Sequence, residues 1–263
     1  MASNGTVERL YLLDLGYQDI SRAVLFEDGG DEVLRCPTTA ALVHCEDGWF
    51  LLDTGLSRAV SEDPEVADLW FPWGPPGYPG NGDPLLNAFA SCGIKSDNVD
   101  GVAISHLHAD HAGGLRHFVD GPPVFLNRAE LDFAFGAASR YDGYYRTEYE
   151  LNGLRWQKLN TETTIATGLT AIPTPGHTPG HTSFRVDTAN SGTWILAFDA
   201  ILTSDNVRLG RTGGRTSPAG AQDFLRHSQD KLTALAEETD ARLIPGHCPK
   251  TWPTLQTAPE YYA

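Results

Sequence analysis

The chain has 263 residues, 41% of them hydrophobic, with 27 glycines and 17 prolines. That length can bury a full core without disulfide or metal staples. Nineteen basic against thirty-four acidic residues give a net charge of −15, which speaks against nucleic acid and against an anionic membrane surface as partners.

The first residues lack a basic flank followed by an apolar stretch, so no secretory leader is expected. Asn4-Gly5-Thr6 fits a glycosylation sequon and, without secretion, is read as chance. No apolar run approaches the ~20 residues needed to span a bilayer. Short apolar runs at 10–13, 40–43 and 50–52 predict strands. Residues 69–80 form a stretch rich in aromatics, Pro and Gly that is expected as a long loop. Its Trp70, Phe71, Trp73 and Tyr78 either wall an apolar pocket or fold onto their own core.

Further strands are expected at 102–104 and 124–126, then a helix over 128–135, then strands at 169–172, 183–186 and 194–198. Residues 208–215 read as a loop whose Arg208, Arg211 and Arg215 either meet an anionic group or are simply solvated. Ser217-Pro218 has the form of an N-cap and first-turn proline. Behind it Phe224, Leu225, Ser228, Leu232 and Leu235 fall on one helical face, and 242–244 returns as a strand. No linker interrupts the pattern, so 1–263 reads as a single domain. The cysteines Cys36, Cys45, Cys92 and Cys248 are scattered without a C-x-x-C pair, as expected of reduced thiols in a cytoplasmic protein.

The chemistry concentrates in Ser105-His-Leu-His-Ala-Asp-His-Ala-Gly-Gly114, directly after an apolar run. Imidazole and carboxylate are ligands preferred by zinc and its transition-metal neighbours. His106 and His108, two apart in extended chain, point the same way. Asp110 and His111 follow where the chain turns and can serve a second ion. Gly113-Gly114 is expected to let the backbone turn tightly into a helix. Thr174-Pro-Gly-His-Thr-Pro-Gly-His181, Phe198-Asp199 and Ile244-Pro-Gly-His247 add a histidine or carboxylate at loop mouths after strands. Two cations sharing one ligand need about seven such groups, and the chain offers that many.

His106-x-His108-x-Asp110-His111, followed by His177, Asp199 and His247 and preceded by Asp53-Thr-Gly55, resembles the signature of the metallo-β-lactamase superfamily. The resemblance spans most of the chain. It implies an α/β fold, the αβ/βα four-layer sandwich of two mixed β-sheets with helices on the outer faces. It also implies two divalent cations, with zinc expected: one on His106, His108 and His177, the other on Asp110, His111 and His247, with Asp199 bridging. His181 is then placed behind the ligands.

Within the superfamily the chain is most similar to the quorum-quenching N-acyl homoserine lactone lactonases. His-Leu-His-x-Asp-His-Ala-Gly-Gly, Thr-Pro-Gly-His-x-Pro-Gly-His, the Asp199-Ala200 strand end and Pro259-Glu-Tyr261 carry that likeness. The implied activity is hydrolysis of a lactone or carboxylic ester by a metal-bridging hydroxide, with Asp110 as the catalytic carboxylate. A thioesterase of the glyoxalase II type, and behind it a phosphodiesterase, are the alternatives. The implied partner is a small-molecule lactone or ester, with no nucleic acid and no membrane; the chain itself would be a monomer or homodimer. Two positions depart from the lactonase pattern. Leu202 stands where those enzymes place a lactone-contacting tyrosine, and Ala109 where they often have Phe. Tyr17, Tyr78, Tyr141, Tyr144 and Tyr145 are the phenols that could take over.

Overall fold

The computed structural model describes residues 5–138 and 140–263, which leaves Asn4 of the sequon outside the described residues. Six strands form the first sheet in chain order: β1 (Arg9–Ser21), β2 (Val33–Cys45), β3 (Gly48–Leu52), β4 (Val99–Ala103), β5 (Pro123–Asn127) and β6 (Arg155–Leu159). β1, β2 and β3 pair antiparallel, and β3 to β6 run parallel. The second sheet holds β7 (Thr163–Ala166), β8 (Leu169–Pro173), β9 (Thr182–Asp187), β10 (Thr193–Phe198) and β11 (Arg242–Pro245) in the order β11-β10-β9-β8-β7. Only the β10–β11 pair in it is parallel.

Alternation along β1 shows how the layers are made. Leu10 and Leu12 enter the core between the sheets, with Val43, Leu52, Phe184, Trp194 and Leu196. Tyr11, Leu13 and Leu15 point the other way. A strand buried on both faces needs an apolar layer against each.

The helices are α1 (Arg22–Leu25), α2 (Arg58–Glu62), α3 (Pro64–Trp70), α4 (Pro84–Ser91), α5 (Ala109–Ala112), α6 (Arg128–Phe135), α7 (Ser204–Leu209) and α8 (Gln222–Thr239). Leu85 and Phe89 of α4, Ala112 of α5 and Leu131 of α6 cover the outer face of the first sheet. Leu232 and Leu235 of α8 cover Ile172 and Ile195 on the second. The result is the four-layer αβ/βα sandwich of two mixed sheets.

Several expected boundaries move. The strand expected at 102–104 begins at Val99 and ends at Ala103. β6 and β7 carry no clean apolar run, and the sequence does not predict them. Ser217-Pro218 does not cap α8. The N-cap is Ala221, and the Ser217 hydroxyl donates to the Asp142 carbonyl instead. Leu225, Ser228 and Leu232 form the buried face of α8 as expected, but Phe224 turns outward, 66% exposed. The start of the expected loop at 69–80 is helical, with Leu69 and Trp70 closing α3.

Gly113 meets a demand other than a tight turn. Its φ is an ordinary −64°, but a Cβ there would lie 2.3 Å from the Ser57 amide nitrogen and 2.7 Å from the Gly55 carbonyl oxygen. The glycine permits backbone to touch backbone between the Asp53 turn and α5. Gly113→Ala is therefore expected to destabilise the protein by about 1–3 kcal/mol through overpacking. Urea denaturation measures this, and a change under ~0.5 kcal/mol would show that the two segments separate freely.

Candidate metal centre

Asp53, the residue after β3, is fully buried with φ +59°. Its Oδ1 accepts from the Ser105 amide at 2.6 Å, and its Oδ2 from the Ser105 hydroxyl at 2.6 Å and from His111 Nδ1 at 2.7 Å. Thr54 donates to the His111 carbonyl, and the Gly113 amide donates to the Gly55 carbonyl. The Asp53-Thr54-Gly55 turn thus grips the loop that leaves β4, and that loop carries four titratable groups in six positions.

Three imidazole nitrogens converge there. His108 Nδ1 lies 3.0 Å from His106 Nε2 and 3.0 Å from His177 Nε2. A carboxylate stands beside them: Asp199 Oδ2 is 3.2 Å from His177 Nε2 and 3.9 Å from His106 Nε2. The other oxygen of Asp199 faces a second group. Asp199 Oδ1 is 3.1 Å from His247 Nε2 and 3.4 Å from His111 Nε2. Asp110 closes that group, with Oδ2 3.5 Å from His247 Nε2 and Oδ1 3.6 Å from His111 Nε2. Within each of the triplets His106/His108/His177, His106/His111/Asp199 and Asp110/His111/His247, the ligand atoms lie within 4.8 Å of one another.

These spacings fit a metal ion. Bonds of about 2.0–2.1 Å at tetrahedral angles set ligand atoms about 3.3 Å apart. The unmet polar atoms agree: His111 Nε2 and Asp199 Oδ1 are buried and have no hydrogen-bond partner, an arrangement that is costly without a cation between them. The far nitrogens are mostly anchored, as metal-binding imidazoles require. His106 Nδ1 meets the Ser105 hydroxyl at 2.9 Å, His111 Nδ1 meets Asp53, and His247 Nδ1 donates to the Pro37 carbonyl at 2.9 Å.

Burial and mutual repulsion push His106 well below the ordinary imidazole range. Burial takes His108 down to about 4 and His177 down to about 3. Burial thus favours the neutral form of those rings, whose lone pairs can bind an ion. Burial opposes charge on His111 and His247 too, but the surrounding carboxylates outweigh it. Asp110, Asp199 and Asp53 hold His111 well above its usual range, and Asp199 and Asp110 raise His247 to about 9. This second group is rich in negative charge, which a cation neutralises.

His181 is committed elsewhere. Its Nδ1 meets the Thr174 hydroxyl at 2.9 Å, and its Nε2 accepts from the Asp199 amide at 3.1 Å. The ring holds the backbone of Asp199 and has no nitrogen left for an ion.

Two polar residues of the site give no functional signal in the sequence. Glu130, in the first turn of α6 and fully buried, accepts from the Leu107 amide, the Tyr144 and Thr178 hydroxyls and the Gly180 amide. Leu107 lies between two of the converging histidines and Thr178 adjoins the third, so one carboxylate spans both loops. Its place beside Ala134 on the buried face is the available hint. Gln18, on β1, donates from Nε2 to Asp110 Oδ2 at 2.7 Å; its position in a polar run offers none.

A cleft of about 180 Å³ opens onto both groups. Ile20, Val24, Leu25 and Leu202 form one apolar wall, and Leu69, Trp70, Phe71 and Trp73 another. Tyr78 does not take part: its hydroxyl lies 3.1 Å from the Ser57 carbonyl and 3.0 Å from the Ser61 hydroxyl. Tyr144 and Tyr145 are held by Glu130 and Asp63, and Tyr17 lies under Arg35 in a separate groove. Tyr141 alone of the five candidate phenols lines the cleft. Of the three loop arginines Arg215 reaches it, whereas Arg208 pairs with Asp205 and Arg211 lines a separate groove with Glu27.

Residues 33–247 match the family model of the metallo-β-lactamase superfamily. The N-acyl homoserine lactonase AttM of Azorhizobium caulinodans is 31% identical over 267 residues, covering 97% of this chain and 98% of that protein. An N-acyl homoserine lactonase of Bacillus cereus is 28% identical over 204 residues, 76% of this chain and 79% of that one. Among solved structures, an N-acyl homoserine lactone hydrolase with N-hexanoyl-L-homoserine bound at its catalytic metal centre superposes with a TM-score of 0.83 at 24% identity, over 98% of this chain and 100% of that one. The chain belongs to the metallo-β-lactamase superfamily.

Glu130→Ala would leave four donors facing a void. The expected loss of stability is about 3 kcal/mol or more, since each unmet buried donor costs about 1–3 kcal/mol. Denaturation of the metal-free variant against metal-free wild type measures it, and a loss under ~1 kcal/mol would mean that water replaces the carboxylate.

Proposed function

We propose that this metallo-β-lactamase superfamily chain is a two-cation hydrolase that opens lactones, with N-acyl homoserine lactones and other apolar carboxylic esters as its substrate class. Asp199 carries the reading: each of its oxygens faces one of two separate donor groups, as a bridging carboxylate requires. His106, His108 and His177 with Asp199 Oδ2 would hold one ion, and Asp110, His111 and His247 with Asp199 Oδ1 the other. Five imidazoles and two carboxylates suit zinc, the ion we assign.

Two bound cations supply Lewis acidity toward a carbonyl oxygen and lower the pKa of a water between them toward neutrality. The chain's own residues do the rest. The two apolar walls exclude water and seat the acyl group. Asp110 stands at the cleft, where a carboxylate oxygen can take the proton of the attacking water and return it to the leaving alkoxide. Tyr141 and Arg215 line the rim on the His108 side. The Leu202 side chain offers no hydrogen bond, so substrate is oriented mainly by apolar contact. Outside the two donor groups, Arg215 is the one Lys or Arg among the described residues lining the cleft, and it shares it with Asp19 and Asp142. That balance disfavours a phosphodiester or an anionic thioester carrier. Four cysteines without disulfides suit the reducing cytoplasm, and no described helix is long and apolar enough to cross a membrane.

Four outcomes are expected. Purified protein should carry two ions per chain, with turnover abolished by chelation and restored by Zn²⁺, Co²⁺ or Mn²⁺; full activity in metal-free protein would end the reading. His177→Ala should lose one ion and nearly all activity, whereas His181→Ala should keep both ions and lose activity only partly; metal analysis decides, and the reverse pattern would exchange the two roles.

In a panel of short- and long-chain acyl homoserine lactones, simple γ- and δ-lactones, a thioester and a phosphodiester, the longer-chain lactones should be turned over best. Leu202→Tyr should raise the rate on acyl homoserine lactones roughly ten- to a hundredfold, the worth of one hydrogen bond to developing charge. Preference for the phosphodiester would overturn the substrate assignment.

A further inference from the structure

The two donor groups are supported by different parts of the fold. The first is backed by Glu130, through Leu107 and Thr178, and by the Ser105 hydroxyl on His106. The second leans on the β1–β2 ribbon. The Pro37 carbonyl accepts from His247 Nδ1 at 2.9 Å, and the Thr39 hydroxyl donates to the carbonyl of Gly246 beside it. Gln18 reaches from β1 to Asp110 Oδ2 at 2.7 Å, with Thr38 Oγ1 3.4 Å from the same nitrogen. Among the described residues this is the only hydrogen bond to either oxygen of Asp110.

The ribbon is shaped to make that contact. Its register shifts between Asp14 and Gly16, where one extra residue, Leu15, stands against Thr39 and Thr38. Such a bulge reverses the side-chain alternation beyond it. Gln18 then faces the side that Tyr11 and Leu13 occupy before the bulge, which is the side of Ala112 in α5 and of Asp110. Asp110 is an acceptor, so the amide must present its N–H₂ group.

On the two-cation reading, the structure assigns Gln18 as the residue that positions Asp110 and sets the affinity of the second cation separately from the first. By donating to Oδ2 it fixes the rotation of the carboxylate, which leaves Oδ1 directed toward His111. Without the donor, the carboxylate turns freely about its last torsion and the second group is no longer preformed. Outer hydrogen-bond partners of metal ligands typically account for 10–100-fold in affinity.

The test titrates metal-free protein with Co²⁺, following visible absorption and competition with a chelator, for wild type, Gln18→Leu and the isosteric Gln18→Glu. Wild type should bind two ions. Gln18→Leu should bind the first ion as wild type does and the second about 10–100-fold more weakly. Gln18→Glu, equal in size but with a like charge against Asp110, should be worse than Leu in the metal-free protein's folding stability. At saturating metal, Gln18→Leu should regain most of its kcat.

Equal weakening of both ions in Gln18→Leu would make the residue a general structural one and overturn the proposal, as would unchanged binding of both. A wild type that takes up fewer than two ions would instead overturn the two-cation reading, and this assignment with it.

Discussion

Asp53 presents no surface to water and accepts three hydrogen bonds from one loop. A carboxylate so buried is tolerable only if donors surround it, and those donors set the course of the chain beyond β4. The Ser105 amide fixes where the chain leaves that strand. The Ser105 hydroxyl reaches His106, and the remaining bond sets the ring of His111. The end of β3 therefore determines the orientation of two of the histidines that the next loop carries. The left-handed φ of Asp53 and the close approach of Gly55 and Gly113 allow turn and loop to lie against each other.

The second sheet contributes in a similar way. Asp199 follows β10, where Phe198 adopts a φ of +45°. Strain of this kind in a bulky residue persists only where the surroundings impose it. Here His181 holds the Asp199 amide, and the Gly246 amide donates to the Phe198 carbonyl. A side chain at Gly246 would clash with that carbonyl. Both sheets thus end in a buried aspartate on a left-handed or adjoining residue, with an anchoring group behind it. The paired aspartates frame the histidines from opposite sides.

Much of this is readable in the sequence because it depends on spacing that side chains cannot disguise. Strand runs ending in His or Asp survive as signals because burial makes the run apolar and chemistry makes its end polar. β6 and β7 lack that signal: Arg155–Leu159 and Thr163–Ala166 are short and largely polar, and their position is set by pairing. Ser217-Pro218 has the letters of a cap, yet the tertiary contact with Asp142 takes the hydroxyl away. Glu130 is invisible as a site residue, since its role arises from two loops separated from it in sequence. Gln18 depends on a bulge whose only local trace is Gly16. Proximity among loops, rather than local preference, decides these cases.

The donors are distributed unevenly along the chain. Four of the seven proposed ligands fall within six consecutive residues after β4, but the others wait for β8, β10 and β11. A nascent polypeptide emerging from the ribosome therefore displays a bare His-x-His-x-Asp-His cluster well before the groups that complete it exist. Free imidazoles of that kind follow the general affinity order and favour copper over zinc. Only the closed sandwich, with both sheets docked, brings Asp199 and His247 up to that cluster. The full set of donors is then a property of the finished fold, complete only when the strand before His247 pairs with β10 in the second sheet.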